Sequence, residues 1–290
     1  MRSSGWNYLI CFLLFPLNLL SQDYQWWNET HGWDGSSHWS SYIKLAPAFM
    51  GPNAFPIPIP ERHIKESSFE MRFSQHFNKG EQSRDLFAKF SLPIGTKAAL
   101  KLQVNPVEYY QMDALVRDER FARDEFPEGY AFGDVLLEMN ALIFEKEHSQ
   151  ILFNFGLKTA SGSHFRNARY TDSPAYLINF SYHTSINLND DLQIDMGALL
   201  GLYVWQTYLL NNRQNDAFLA SFVCDLMYKN YIFSQSLRGF KGYLNQGDSP
   251  LLYVLKFAKN WQSYQFYIQQ QITLMDYPYN SLQLGGRYYF

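Results

Sequence analysis

From about residue 67 onward, apolar and polar side chains alternate one by one through a series of stretches separated by turn residues. The final stretch is the clearest: Leu282, Leu284, Gly286, Tyr288 and Phe290 share one face, and Gln283, Gly285, Arg287 and Tyr289 share the other. Successive side chains on a strand point to opposite sides, so this period of two reads as a strand with one greasy and one wet face. The same pattern places twelve strands, at approximately 67–78, 85–94, 97–111, 133–146, 149–161, 174–188, 191–208, 216–229, 231–245, 250–259, 263–276 and 281–290.

The connections carry a second pattern. Turns after the even-numbered strands read as tight, around Gly95-Thr96, Lys146 to Ser149, Asn189-Asp190, Lys229-Asn230 and Asn260 to Gln262. Those after odd-numbered strands read as generally longer, the longest from about Met112 to Phe132 and from Ser161 to Ser173. Short periplasmic turns alternating with longer outer loops are the asymmetry of an outer-membrane barrel, and an even strand count leaves both ends in the periplasm. The expected fold is therefore all-β, a transmembrane antiparallel barrel of about twelve strands, with one hairpin of uncertainty in the count.

Outward positions such as Phe69, Met71, Phe73, Leu137, Met139, Phe153, Phe155, Phe180, Phe218 and Phe222 form a lipid band. Tyr228, Tyr231, Phe257, Tyr264 and Phe290 suit an aromatic girdle at the periplasmic interface. A soluble β-sandwich is the alternative, but it needs neither the loop asymmetry nor the terminal aromatic. Tyr288 and Phe290 are the expected insertion signal, read by the barrel assembly machinery.

The opposite register collects Glu70, Arg72, Lys89, Lys101, Glu138, Lys158, His183, Asp195, Asp225, Arg238, Lys256 and Arg287, the expected lumen-facing residues. A charge facing hydrocarbon costs roughly 2–4 kcal/mol at the midplane, so confining charges to one register supports the barrel. Two readings stay open: a lumen with a mild preference for anions, or a salt-bridged interior that fills a narrow barrel with its own side chains.

The front end fits secretion. One positive charge at Arg2 precedes an apolar run from Leu9 to Leu20 and then Ser21 and Gln22, which reads as a signal peptide over 1–21. The run is too short to span a bilayer, and Cys11 lies too early in it for a lipoprotein site. Mean hydropathy of -0.30 is too polar for a helical membrane protein, whereas the two faces of a barrel cancel. A net charge of -3 gives no sign of nucleic acid as a partner. Cys224 is left without a disulfide mate after cleavage and reads as inert packing or lipid-facing surface.

Residues 22–66 differ in character. Trp26, Trp27, Trp33 and Trp39 crowd into fourteen positions, and prolines at 47, 52, 56, 58 and 60 favour extended polyproline backbone. Such a segment does not fold alone, so it must dock in the lumen as a plug, on the periplasmic rim, or on a partner protein. His31, Asp34 and His38 have metal-compatible chemistry, but Gly32 and Gly35 spoil a helical alignment, so turn hydrogen bonding is the favoured reading and no metal or cofactor is expected. The stretch Trp26-Trp-Asn-Glu-Thr-His-Gly-Trp-Asp-Gly35, followed by Tyr42-Ile-Lys-Leu-Ala-Pro-Ala-Phe-Met-Gly-Pro-Asn-Ala-Phe-Pro-Ile-Pro58, resembles the start of a family of uncharacterised outer-membrane β-barrels from Bacteroidota. That resemblance implies a Gram-negative outer membrane and a mid-sized barrel, and it assigns no catalytic or binding residues.

Chemistry is weakly signalled. An omptin-type protease needs paired Asp and Asp-His at the outer rim, and the loops offer Asp113, Asp118, Asp124, Asp134, His164 and Asp172, yet within charge-mixed runs that read as solvated loop. A phospholipase-type barrel needs Ser and His on the hydrocarbon face, and the outward register has no such pair. The expectation is a non-enzymatic outer-membrane barrel, either a structural or accessory subunit of an envelope complex or a narrow, mildly anion-preferring channel. Its partners would be the lipid bilayer, the insertion machinery, and a protein docking on residues 22–66.

Overall fold

The computed structural model describes residues 24–209 and 211–290, so the expected signal peptide lies outside the described residues. Thirteen strands follow in chain order: β1 (Ser68–Asn78), β2 (Glu81–Ile94), β3 (Ala98–Met112), β4 (Glu128–Ala131), β5 (Leu136–Lys146), β6 (Ser149–Lys158), β7 (Ala175–Asn187), β8 (Leu192–Leu209), β9 (Asn212–Tyr228), β10 (Tyr231–Gly242), β11 (Leu251–Trp261), β12 (Tyr264–Met275) and β13 (Asn280–Tyr289). All pairings are antiparallel: consecutive strands pair except that β3 passes β4 to pair with β5, and β1 pairs with both β2 and β13. Twelve strands thus close a barrel that leaves no sheet edge in lipid, where an unpaired backbone group is costly. Two short helices, α1 (Gln25–His31) and α2 (Ala114–Glu119), lie outside the wall, and no described helix is long and apolar enough to cross a membrane.

β4 is the extra element. β3 is long enough to pair with β5 through residues 98–103 and, higher up, with β4 through residues 108–111. β4 therefore takes over the place of β5 above the bilayer, inside what the sequence pattern presents as one long loop.

The rim that holds both ends of the strand run also holds the short turns at residues 95–97, 147–148, 229–230 and 262–263. This is the inner rim; the long connections at 113–127 and 159–174 mark the outer rim. Two outer connections correct the expected asymmetry. β1 and β2 are joined by residues 79–80 and β8 and β9 by residues 210–211, because β2 begins at Glu81 and β9 at Asn212, about four residues ahead of where the apolar pattern starts. Those leading residues, among them Asn212-Arg-Gln-Asn-Asp216, project above the hydrocarbon, where a strand needs no apolar face.

The lipid face is apolar on all sides. Phe73, Phe180, Phe218 and Leu284 each expose about half of their surface or more. At the inner rim Tyr231 stacks on Phe257, with 5.9 Å between centroids, and Tyr264, Tyr288 and Phe290 form a run at 5.0 and 5.7 Å. Cys224 is half-buried and sits opposite Met196 and Gln235.

Candidate functional site: the threaded lumen

Twelve strands enclose more space than wall side chains alone fill, in contrast with eight-stranded barrels. Here residues 24–66 enter that space. The segment starts at the outer rim: α1 places the Trp27 indole N–H on Phe121 O at 3.2 Å, and the Trp39 ring packs tilted against Phe165 at 5.5 Å. It descends past Trp205, whose indole donates to Leu45 O at 2.9 Å, and past Ala168 O, which accepts from Gly51 N at 2.8 Å. Ser221 then donates to Pro58 O at 2.8 Å. At the inner rim His63 Nε2 lies 3.1 Å from Thr96 O, and Lys65 pairs with Glu145 at 3.1 Å, just before the chain turns into β1. The segment thus runs from outer mouth to inner mouth within the ring.

Two kinds of contact hold its outer half. One is apolar: Ile43, Leu45, Met50 and Phe55 are buried against Leu177, Leu199, Tyr203, Trp205, Leu219 and Phe240. Inward positions of β7 to β10 are therefore greasy at this level, a departure from apolar-out, polar-in alternation that exists because another piece of chain, not water, covers them. Burying the four segment side chains contributes on the order of 6–12 kcal/mol. The other is hydrogen bonding to a buried ion-pair network of the wall and loops. Arg169, from the 159–174 loop, is wholly buried and pairs with both Glu81 and Glu108. Arg120 adds a 2.6 Å pair to Glu81, Tyr279 donates to Glu81 at 2.8 Å, and Tyr170 donates to Glu108 at 2.7 Å. Asn53 of the segment bridges Glu108 and Asp85 at 2.8 and 2.9 Å. A Cβ on Gly51 would collide with Arg169 O, so this close approach requires glycine.

The inner half is different. A cavity of about 690 Å³ lies between residues 56–66 and the wall. Eleven of the twelve lumen-register residues named above line it: Glu70, Arg72, Lys89, Lys101, Glu138, His183, Asp195, Asp225, Arg238, Lys256 and Arg287. Lys158 sits apart, buried near the outer rim with Asp134 at 2.7 Å and Thr171 at 2.6 Å. The segment supplies counter-charges of its own. Glu61 accepts from Lys89 at 2.6 Å and from Lys101 at 2.9 Å, and Arg62 pairs with Asp195 at 3.1 Å. Arg287 pairs with Glu70 at 2.6 Å, and Lys101 also reaches Glu138 at 3.1 Å.

Three inward carboxylates escaped the sequence reading: Glu81, Asp85 and Glu108. The first two precede the apolar pattern of β2 or open it, and Glu108 has the wrong parity for an inward residue. A bulge explains the parity, since Leu86 pairs with Val107 while Ala88 pairs with Val104, which puts Asn105 and Pro106 opposite Phe87 alone. Pro106 is the available signal, because proline inside a strand marks a bulge or an edge. These acids make the outer half a mixed interior, while the inner cavity is lined by eight basic and seven acidic side chains.

The four tryptophans divide. Trp27 is fully buried beside Tyr42, Trp26 lies under the Arg117 guanidinium at 4.4 Å, and Trp39 joins the apolar core, whereas Trp33 stays exposed with its N–H on Ser37 O at 2.8 Å. His31, Asp34 and His38 go separate ways. His31 packs on Trp27 and Phe121, and His38 Nδ1 lies 2.7 Å from Ser40 Oγ. Hydrogen bonds from Ser37 and Ser36 hold the Asp34 carboxyl down to about 2.

Of the loop acids, Asp113 caps α2 through Val116 N at 2.9 Å, Asp118 pairs with Arg117 at 2.7 Å, and Asp124 accepts from Asn167 at 2.6 Å. His164 lies 2.9 Å from the Tyr110 hydroxyl, and burial, with Arg166 adding to it, keeps its imidazole below the ordinary value. Ser281, His76 and Asp85 form a hydrogen-bonded row at 2.7 and 2.5 Å. All three are buried, and none lines the inner cavity. Its evident work is to satisfy buried polar groups.

No family model matches the chain, and no curated protein matches it. Solved structures do. An outer-membrane channel from Pseudomonas putida is similar over 82% of this chain and 98% of its own, with a TM-score of 0.54 at 8% identity. The KdgM porin is similar over 76% of this chain and 99% of its own, with a TM-score of 0.50 at 13% identity. The NanC porin covers 76% and 98%, with a TM-score of 0.50 at 10% identity. At such identities the likeness is one of fold. It agrees with the lipid-facing band and the closed ring: the chain is an outer-membrane β-barrel of a Gram-negative cell.

Proposed function

We propose that this protein is a narrow outer-membrane channel with a preference for anions, in which residues 24–66 form a resident plug. The single observation that carries this reading is the inner cavity: about 690 Å³ of polar, charge-lined space, open to solutes of modest size and stopped on the outer side by the packed segment. A barrel meant only as a membrane anchor has no use for such a space. Fold likeness to porins supports the reading. Passage requires the outer half of the plug to shift, and its apolar and hydrogen-bonded contacts make that an infrequent event.

Purified full-length protein in planar bilayers should show rare, small, anion-preferring openings. Deletion of residues 24–66 should convert these into large, steady conductance. Silence of both forms at all voltages would contradict the channel.

A second reading, an accessory subunit of an envelope complex, is favoured by one feature. Leu115, Phe126 and Tyr130 on the outer 113–131 region are 69%, 82% and 69% exposed, well above the lipid band. Gentle extraction from native membranes should then bring down a stoichiometric partner, lost in Phe126→Ser. A clean monomer would remove this reading and leave the channel standing.

A further inference from the structure

We infer that the inner cavity holds a specific binding site for a small polar molecule bearing oxyanions, carboxylate or phosphate, with Arg72, Arg238 and Lys256 as its ligands. This deepens the channel reading, on which it rests only for the role of the bound molecule as cargo.

Charge pairing sets these three residues apart. Among the other cavity cations, Lys89, Lys101, Arg287, Arg62 and Lys65 each have a carboxylate within 4.0 Å. Arg72, Arg238 and Lys256 have none among the described residues, although all three line the same space. Arg72 Nε and Arg238 Nε are buried without any hydrogen-bond partner, and Arg238 commits only its Nη2, to Gln271 at 2.9 Å. Arg72 and Arg238 thus face one space with like charge. Like charges held together with donors unmet are costly, and each such group in a native interior calls for an explanation. An anion between them removes both costs.

The wall prepares these side chains from behind. Arg72 lies over the Phe87 ring at 4.2 Å, and Lys256 over the Tyr267 ring at 4.4 Å. Aromatic faces hold cations in place without consuming their N–H donors. Tyr267 is itself fixed, its hydroxyl donating to Glu70 at 2.5 Å and its ring lying across Gly285, where a Cβ would strike it. A carboxylate at any of these backing positions would quench the site; aromatic rings leave it charged. Ser234, Ser236 and Gln269 line the same wall and offer neutral partners for hydroxyl groups. Asp225 has one carboxylate oxygen with no partner, so the site also holds a free acceptor beside its cations. The preferred ligand therefore carries oxyanions and hydroxyls together.

Calorimetric titration of the detergent-purified full chain with citrate and with glucose 6-phosphate tests this, with glucose as the neutral control. Saturable binding of either probe is expected, weakened at least tenfold in Arg72→Gln and in Lys256→Gln, since charge-assisted hydrogen bonds to an oxyanion are the strong ones. Lys259→Gln, at an exposed position on the neighbouring rim, should bind like the parent. Citrate alone binding assigns a carboxylate site, glucose 6-phosphate alone a phosphate site, and both a general oxyanion site. Heat-modifiable gel migration verifies that each variant is a closed barrel, and the second substitution serves if the first fails to close. Absence of saturation below about 10 mM for both probes, or equal affinity in parent and variants, would overturn the site. Binding without bilayer conductance would keep the site and remove the channel; conductance without binding would do the reverse.

Discussion

Arg169 carries a large share of the outer lumen on one side chain. It reaches from a loop into a fully buried position and meets Glu81 from β2 and Glu108 from β3. Removing one partner of a buried ion pair leaves the other uncompensated, at a cost of about 3–5 kcal/mol. Arg169→Met should therefore lower the unfolding free energy measured in detergent by that amount and free the 159–174 loop to protease; a change under about 0.5 kcal/mol, the size of an ordinary surface substitution, would show that the network is not structural. Sequence alone gives little hint of this residue. Arg169 sits in a polar loop, and its partners fall outside the clean alternation, Glu108 because the bulge at Pro106 reverses the parity. By contrast Glu70, Lys89, Lys101 and Arg287 were legible, because nothing interrupts the pleat around them.

Among the elements, β13 is the most legible and the segment ahead of β1 the least. β13 obeys its period without interruption and leads into Tyr288 and Phe290, which stack on each other and pack beside Tyr264 of β12 along the inner rim. Its backbone also closes the ring, with Phe290 N donating to Ser67 O at 3.0 Å. Deleting Phe290 should reduce the membrane-inserted, heat-modifiable fraction several-fold; unchanged levels would mean that the terminal aromatic is dispensable. The twelve barrel strands were readable because lipid imposes one face on each of them, whereas β4, above the bilayer, has no such face. The segment's course was not readable, since polyproline backbone and isolated tryptophans state that docking must occur and not where. Inward apolar residues such as Leu199, Tyr203 and Leu219 were the missed signal: two greasy faces on one strand require two covers, lipid outside and chain inside.

For the whole molecule, the direction of threading has the widest consequence. The described chain begins against loops at the outer rim, crosses the barrel once, and turns into β1 at the inner rim. The barrel is thus closed around its own leading segment, which acts as the interior core that twelve strands cannot supply. It follows that the two ends of this segment face opposite sides of the outer membrane. With Cys224 replaced by Ser, single cysteines at Ser36 and at Glu66, both exposed positions, can be labelled with a membrane-impermeant maleimide. Ser36→Cys should react on intact cells and Glu66→Cys only after the outer membrane is opened. Labelling of both positions from the periplasm alone would place the segment outside the lumen and contradict the account.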